Sequence, residues 1–314
     1  MSINLPLARY RFCFEADNDI LLPPYSGSSW RGLFGHQLKQ TVCVTRERNC
    51  RECLLWRSCV YTYLFETPPA IDADMMKKYP AAPHPYVIQP DAFQQRHVSK
   101  GELLHFDLTL VAKANQHLPY VIHTFQQAGM RGIGSQRGRF GLQEVLQYRG
   151  SDNWEKIYEA QGKLRAFAAE SPVIPVLPKG EIRLKFLTPC RLRVKNHYIG
   201  ARELKFSFLI ANLLRRLSSL SYFHNDEELS LDFARLVKAS QAVDFLDSNL
   251  IWKDWTRYSS RQQSSLKMGG FVGDVCLNAD DLGDFWELLY LGQYLNLGKG
   301  SVMGLGRYSL SFDV

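Results

Sequence analysis

The sequence predicts an α+β protein with two tandem ferredoxin-like (RRM-like) domains, each following the order β-α-β-β-α-β. Its 314 residues leave room for two domains that each bury a core. The same order of strand and helix patterns occurs in both halves, and each half contains a loop of the form G-x-G-S-x-x-G. A proline-rich stretch at residues 168–180 lies between them, so we place the domains at 1–170 and 171–314.

The first half opens with a half-buried strand, because PLARYRFCFEA at residues 6–16 alternates apolar and polar side chains. SWRGLFGHQLKQ (29–40) predicts the first helix, with Ser28 or Ser29 as its N-cap. A middle strand is expected in LLHFDLTLVA (103–112). A second helix in YVIHTFQQ, the first glycine loop and a strand in FGLQEVLQY complete this half.

The second half repeats this order, beginning with a strand in EIRLKFLTPCRLR at residues 181–193. FSFLIANLLRRLSSL predicts an amphipathic helix, followed by a middle strand in GGFVGDVCL (269–277). A helix in FWELLYLGQYL, the second glycine loop and a strand in LGRYSLSF close the chain. The apolar face of the amphipathic helix is predicted to consist of Leu209, Ile210, Leu213, Leu214, Leu217 and Leu220.

Composition and charge limit the classes of protein to which this chain can belong. Hydrophobic residues make up 46% and charged residues 22%, and no apolar run is long enough to span a membrane. The N-terminus lacks the pattern of a signal peptide, so we expect a cytoplasmic protein. The net charge of +7 favours a polyanionic partner without proving one.

The two glycine loops are GIGSQRGRFG (132–141) and GKGSVMGLGR (298–307). A dinucleotide-binding fingerprint is excluded, because a helix precedes and a strand follows each loop, and the third glycine comes one residue late. Glycines allow backbone amides to approach an anionic ligand. The alternative is a pair of tight turns. Basic residues flank both loops, namely Arg131, Arg137 and Arg139 at the first and Lys299 and Arg307 at the second.

Four of the seven cysteines crowd into CVTRERNCRECLLWRSC, directly after the first predicted helix. Four thiolates within 17 residues suit a structural zinc ion that braces a cysteine-rich insertion. An iron–sulfur cluster and four reduced thiols remain as alternatives, since the outer spacings match no standard zinc finger. The predicted metal ligands are Cys43, Cys50, Cys53 and Cys59.

Three motifs carry a resemblance to a known family: GKGSVMGLGRY, WTRYSSRQQSSLKMGGFVGDV and WRGLFGHQLK. Their order along the chain resembles the CRISPR-associated RAMP endoribonucleases that process precursor CRISPR RNA. The resemblance implies that the C-terminal glycine loop lies near RNA. It also implies cleavage within the repeats without a metal, leaving a 5′-hydroxyl and a 2′,3′-cyclic phosphate. CRISPR repeat RNA and other CRISPR effector subunits would be the partners, with no membrane and no direct contact with DNA.

One departure from the family concerns the residue just before the second glycine loop. Many members carry a histidine there, whereas this chain has Asn296. The proton chemistry of that histidine is therefore absent here.

Metal-independent cleavage needs a base, an acid and a cation at the phosphate. His36 is the leading base or acid, because the resemblance implies a general base on the first helix. On a helical wheel His36 shares its polar side with Gly32, Gly35 and Lys39, and Lys39 is the candidate cation. Tyr25 is the second catalytic candidate. The alternatives are a solvated helix face for the first pair and a turn anchor for Tyr25.

RNA contacts are predicted at the glycine loops and in WTRYSSRQQ, where arginine, aromatic and amide side chains alternate. His97 and His123 are weaker candidates for contact with RNA, and His197 with Tyr198 fits binding better than cutting. The full set of predicted RNA-binding residues is Arg131, Arg137, Arg139, Arg257, Tyr258, Arg261, Gly298, Lys299, Gly300, Ser301 and Arg307.

Two further functions compete with the endoribonuclease. The first is a RAMP-type subunit that binds guide RNA in an interference complex without cutting it, which Asn296 favours. The second is a metal-cluster protein with no role in nucleic acid binding. That last alternative leaves the duplicated glycine loops and their arginines unexplained, so we rank it third.

Overall fold

The computed structural model describes residues 3–68, 82–91, 96–259 and 264–312, without the side chains of 257–259 and 264–267. The contacts divide the chain into two compact units. The N-terminal unit holds residues 4–171 and 219–228, and the C-terminal unit holds the remainder. No helix among these residues is long and apolar enough to cross a membrane.

The N-terminal unit contains a five-stranded antiparallel sheet in the order β3-β5-β1-β6-β7. A separate pair, β2 with β4, lies outside it. The strands are β1 (Leu7–Ala16), β2 (Ile20–Leu22), β3 (Tyr86–Pro90), β4 (Arg96–Val98), β5 (Leu103–Val111), β6 (Phe140–Gly150) and β7 (Asn153–Glu159). The helices are α1 (Gly27–Val42), α2 (Val60–Phe65) and α3 (Leu118–Gly129).

An aromatic core holds this unit together. Alternation along β1 turns Phe12 and Phe14 to one face of the sheet, where both are fully buried. The Phe14 ring stacks on Trp30 of α1 with centroids 5.4 Å apart, and Phe12 lies 5.3 Å from Phe125 of α3. Both helices therefore cover the same face of the sheet.

The C-terminal unit contains a four-stranded antiparallel sheet in the order β11-β12-β8-β13. A separate pair, β9 with β10, lies outside this sheet. The strands of the unit are β8 (Glu181–Cys190), β9 (Arg193–Val194), β10 (His197–Tyr198), β11 (Asp247–Ser259), β12 (Ser264–Asn278) and β13 (Tyr308–Phe312). Its helices are α4 (Phe206–His224), α5 (Phe233–Ala239) and α6 (Trp286–Leu295), although residues 219–224 at the end of α4 are grouped with the N-terminal unit. The six predicted apolar residues of α4 are all buried, from Leu209 to Leu220.

Both sheets have ferredoxin-like topology, so the predicted fold class is confirmed. In each sheet the first and third strands of the motif lie side by side in the centre. They are β1 and β5 in one unit, and β8 and β12 in the other. The second and fourth strands lie beside them.

Two local details differ from the prediction. The first helix begins at Gly27, and its N-cap is Ser26, whose side chain makes no capping hydrogen bond. The N-terminal sheet also gains β7, which pairs with β6 through a turn at Ser151 and Asp152. Both turn residues have positive φ (46° and 56°). Register shifts between β6 and β7 interrupt the alternation that would have predicted this strand.

A glycine at the end of α3 is required by close packing, and its replacement tests the fold. A Cβ at Gly129 would collide with the backbone carbonyl oxygen of Phe140, whereas a Cβ at Gly32 on α1 meets no atom within 4 Å. We expect Gly129→Ala to lower the free energy of unfolding by about 1–3 kcal/mol. Gly32→Ala should leave it unchanged or raise it by about 1 kcal/mol. Urea unfolding measures both, and equal midpoints would contradict this packing.

Candidate functional site

His36 lies on the exposed face of α1 and has two polar neighbours. The Nε2 atom of its imidazole lies 3.1 Å from Nε2 of Gln40, one helical turn further on. The same atom lies 3.1 Å from Nη1 of Arg131, two residues after the end of α3. Packing of α1 and α3 on one face of the sheet thus brings together residues 95 positions apart.

These contacts determine the form of the imidazole. A guanidinium group can only donate hydrogen bonds, so Nε2 of His36 accepts one from Arg131. The Gln40 amide nitrogen donates to the same atom. An acceptor at Nε2 means a neutral ring with its proton on Nδ1. In this arrangement His36 holds a lone pair on Nε2, with a cation beside it.

Lys39 is half-buried on the side of α1 that faces the cysteine segment. Its ammonium lies 5.5 Å from the centre of the Tyr61 ring. Burial alone would lower the pKa of Lys39, but a hydrogen bond to Cys50 and the nearby Cys50, Tyr61 and Cys43 side chains raise it above its usual value. Lys39 is therefore cationic at neutral pH, and Arg131 is the cation that contacts His36.

A cavity of about 440 Å³ lies beside α1. Its lining is mixed, and it carries two cations, one carboxylate and one aromatic ring. A pocket of this volume is in the range that holds small organic groups. Its lining residues are Gly35, His36, Lys39, Gln40, Cys43, Arg46, Glu47 and Tyr61.

Gly35 and Tyr25 differ from what the sequence predicted for them. Gly35 is buried, and a Cβ there would lie 2.6 Å from Cε1 of Phe65 in α2, so this glycine serves packing and not ligand approach. Gly32 is exposed, with open space around it. Tyr25 is buried, with 3% of its surface exposed, in contrast to exposed His36.

The first glycine loop closes on its own backbone. The amides of Ile133 and Gly138 donate to each other's carbonyl oxygens, at 2.9 and 3.0 Å. A Cβ at Gly134 would collide with the carbonyl of Leu21, and one at Gly138 would lie 2.6 Å from Ile20 Cγ1. The glycines are therefore needed for contact with β2. The arginines of this loop, Arg131, Arg137 and Arg139, are all exposed.

The backbone amides of the second glycine loop also donate hydrogen bonds within the protein. The amide of Lys299 donates to the carbonyl of Arg191 at 2.9 Å, and the amide of Gly298 donates to Oδ1 of Asn212 at 3.0 Å. Gly298 and Gly300 have φ values of 77° and 84°, which favour glycine. Most amides of the loop are thus committed within the protein. Lys299 is exposed, Arg307 is half-buried, and Ser301 and Asn296 are buried.

The remaining predicted RNA-binding residues lie on β11 and just beyond it. Arg257 and Tyr258 belong to the backbone of β11, but their side chains lie outside the described residues, as does Arg261 altogether. Three weaker candidates, His97, His123 and His197, are exposed on β4, α3 and β10.

The cysteine segment gives the zinc prediction no support. All four cysteines are free thiols, partly exposed, and they line a cavity of only about 20 Å³. Oγ1 of Thr45 lies 3.2 Å from Sγ of Cys53, and Cys50 bonds to Lys39. In the described part of the chain, no three His, Cys, Asp or Glu side chains meet in a way that would hold a metal ion. Neither zinc nor an iron–sulfur cluster fits the thiols as placed.

Comparison with family models covers both units. Residues 5–170, more than half of the chain, match the model AF_1859_N, which is described as an N-terminal domain. Residues 184–308 match the model of the CRISPR-associated endoribonuclease Cas6. Residues 184–308 therefore belong to the Cas6 family of CRISPR-associated endoribonucleases. The resemblance seen in the three sequence motifs is thereby confirmed, and it supports endoribonuclease activity in CRISPR RNA processing.

Solved structures agree with this membership at the level of the fold. A Thermus thermophilus Cas6 in complex with its product is 13% identical, has a TM-score of 0.58, and matches over 97% of this chain and 100% of that one. A partial Cas6-RT-Cas1–Cas2 complex has a TM-score of 0.55 at 11% identity. There the match covers 99% of this chain and 46% of the larger one. An uncharacterized protein of Archaeoglobus fulgidus is 21% identical over 92% of both chains.

Thiol labelling tests the cysteine segment. We expect iodoacetamide to label Cys43, Cys50, Cys53 and Cys59 in the native protein, because these free thiols are partly exposed. Burial raises the pKa of Cys190 far above its usual range, and Cys276 is also buried, so both should react only after denaturation. Mass spectrometry of peptides measures the labelling. Protection of all four thiols, together with one equivalent of metal by elemental analysis, would contradict this structure.

Proposed function

We propose that this protein cleaves precursor CRISPR RNA within its repeats, with His36 transferring the proton and Arg131 stabilising the phosphate. The observation that carries the proposal is the contact between the exposed imidazole and the guanidinium, beside a cavity lined by charged side chains. A proton-transfer group with a neighbouring cation is what RNA cleavage needs. Membership in the Cas6 family supports RNA as the substrate.

The reaction proceeds without a metal ion. The 2′-oxygen of one nucleotide attacks the adjacent phosphorus as its proton passes to Nε2 of His36, and the bond from phosphorus to the 5′-oxygen breaks. A proton returned to that oxygen leaves a 5′-hydroxyl on one product and a 2′,3′-cyclic phosphate on the other. A neutral imidazole with a lone pair on Nε2 suits the first transfer, because that lone pair can accept the proton of the 2′-hydroxyl.

Arg131 has two partners in this scheme, one before and one after RNA binds. In the free protein its guanidinium donates to Nε2 of His36. A phosphate is an anionic, bidentate acceptor and competes well against a neutral imidazole. When the scissile phosphate draws Arg131 away, Nε2 keeps only the neutral Gln40 amide as a donor. The 2′-hydroxyl then displaces that amide and gives its proton to Nε2. Arg131 then faces the negative charge that grows on the phosphorane.

Other basic residues bind the RNA around this point. Arg137 and Arg139 extend the exposed basic surface from Arg131. Lys39 adds a fixed positive charge at the rim of the cavity. The C-terminal contacts are those predicted at Arg257, Tyr258, Arg261 and the second loop, with Gly298, Lys299, Gly300, Ser301 and Arg307. Buried Tyr25 has a structural role in this proposal.

The second candidate function is an RNA-binding RAMP subunit that does not cut. It is favoured by Asn296, which is buried and stands where many relatives carry histidine. The Cas6-RT-Cas1–Cas2 relative also suggests that other CRISPR proteins are partners. The two functions differ in one respect that can be measured directly, which is the appearance of a cyclic-phosphate end.

Replacing His36 tests the proton transfer. We expect His36→Ala to lower the single-turnover cleavage rate of a labelled repeat RNA by about 10²–10⁴-fold in excess EDTA, with little change in Kd. His105→Ala, at a partly exposed histidine of the N-terminal unit that lies 3.4 Å from Asp91, is the matched control and should cut at the wild-type rate. Tight binding by wild type with no cleavage would establish the non-catalytic subunit instead.

Replacing Arg131 tests the cation. Arg131→Ala should reduce the cleavage rate at saturating RNA by about 10²–10³-fold. The reason is that the negative charge on the phosphorane loses the guanidinium that stabilises it. Arg131→Lys should restore only part of the rate, since an ammonium cannot bind a phosphate in bidentate fashion. Arg235→Ala, an exposed arginine paired with Asp284, controls for loss of one positive charge. An unchanged rate in Arg131→Ala would contradict the assignment.

A further inference from the structure

The β9–β10 hairpin in the C-terminal unit projects a row of exposed polar residues. His197 pairs with Val194 and Tyr198 with Arg193, across a two-residue turn at Lys195 and Asn196. Both turn residues have positive φ (46° and 70°), as a tight hairpin requires. Buried Leu192 and Ile199 lie directly before and after the hairpin. The residues between them add little to the core.

The surface around this hairpin is strongly basic. Within residues 191–205 the one carboxylate is that of Glu203, and it accepts a hydrogen bond from the amide of Gly200 at 2.6 Å. The backbone of the second glycine loop joins this surface, because Lys299 N donates to Arg191 O at 2.9 Å. Exposed cations of this surface are Arg193, Lys195, Arg202, Lys205 and Lys299. The positive electrostatic potential of these side chains attracts a polyanion.

Tyr198 gives this basic surface an aromatic platform. It is 47% exposed, so its ring is open to a stacking partner. The Arg191 guanidinium lies 4.5 Å from the centre of its ring. Arg191 is itself half-buried, with Nη1 2.8 Å from Sδ of Met268, so it holds the ring in position.

We propose that the hairpin surface, defined as Arg193, Lys195, Tyr198 and Lys299, binds a single-stranded segment of RNA. One base stacks on Tyr198, and the cations contact phosphates on either side. The proposal rests on the proposed function, which makes RNA the ligand, and adds to it a binding site in the C-terminal unit. Stacking accepts any base, so this surface supplies affinity and not sequence selection.

Binding of a 3′-fluorescein-labelled CRISPR repeat RNA, followed by anisotropy in EDTA, tests the stacking. The RNA carries 2′-deoxy substitutions throughout, except in its unpaired flanks, so that the complex is not cut in the stem. We expect Tyr198→Ala to weaken Kd by about tenfold, because the stacked base loses its aromatic partner. Tyr198→Phe keeps the ring and should bind as wild type does. Tyr120→Ala removes a tyrosine of the same 47% exposure in the N-terminal unit and is the matched control.

Salt dependence tests the phosphate contacts. Lys195→Gln should reduce the slope of log Kd against log salt by about 0.7, the value expected when one contact to a single strand is lost. Lys238→Gln, an exposed lysine on α5, controls for the change in net charge.

The outcomes separate this proposal from the proposed function. Wild-type affinity in Tyr198→Ala, with cleavage intact, overturns the hairpin surface and leaves the endoribonuclease standing. Equal losses in Tyr198→Ala and Tyr198→Phe overturn stacking. Weaker binding in Tyr198→Ala, with wild-type affinity in Tyr198→Phe and Tyr120→Ala, supports the hairpin surface. This holds even where the wild-type protein never cuts unmodified RNA.

Discussion

The stacking of Phe34 on Phe125 is the contact on which the candidate site depends. The two rings lie 5.1 Å apart and nearly parallel, and they join α1 to α3 over the aromatic face of the sheet. His36 follows Phe34 by two residues and points outward, while Arg131 comes six residues after Phe125. The 3.1 Å contact between imidazole and guanidinium therefore follows from packing in the core. The buried Phe34 and Phe125 rings therefore position the two exposed side chains of the candidate site.

Much of the fold could be read from the sequence, because alternation and helical periodicity report burial directly. The strand order β3-β5-β1-β6 and its counterpart in the second unit followed from a recurring element order. The exposure of His36 could be predicted from its place on the polar side of a helix. Its contact with Arg131 could not be found, since it joins residues 95 positions apart. Gln40 was missed too, although its spacing of four residues from His36 was a usable signal.

The glycines and cysteines show where local patterns mislead. Spacing alone says that a loop needs glycine, but not whether a ligand or the chain's own backbone approaches it. Gly134 and Gly138 pack against β2, and Gly298 packs against Arg191. Four nearby cysteines likewise suggest a metal, yet their side chains have protein partners such as Lys39 and Thr45. In both cases the competing partner lies in another part of the chain.

The hydrogen bond from Arg131 to His36 has a consequence for how the proposed enzyme distinguishes among RNAs. One guanidinium is shared between an imidazole and a phosphate, so the resting protein keeps its base occupied. RNA that docks without delivering a phosphate to Arg131 leaves that occupancy unchanged and stays intact. The proposed enzyme thus cleaves an RNA only when two conditions are met together. The RNA must bind, and its scissile phosphate must reach Arg131. In the proposed enzyme, such an arrangement would spare RNAs that bind to the basic surface in the wrong position.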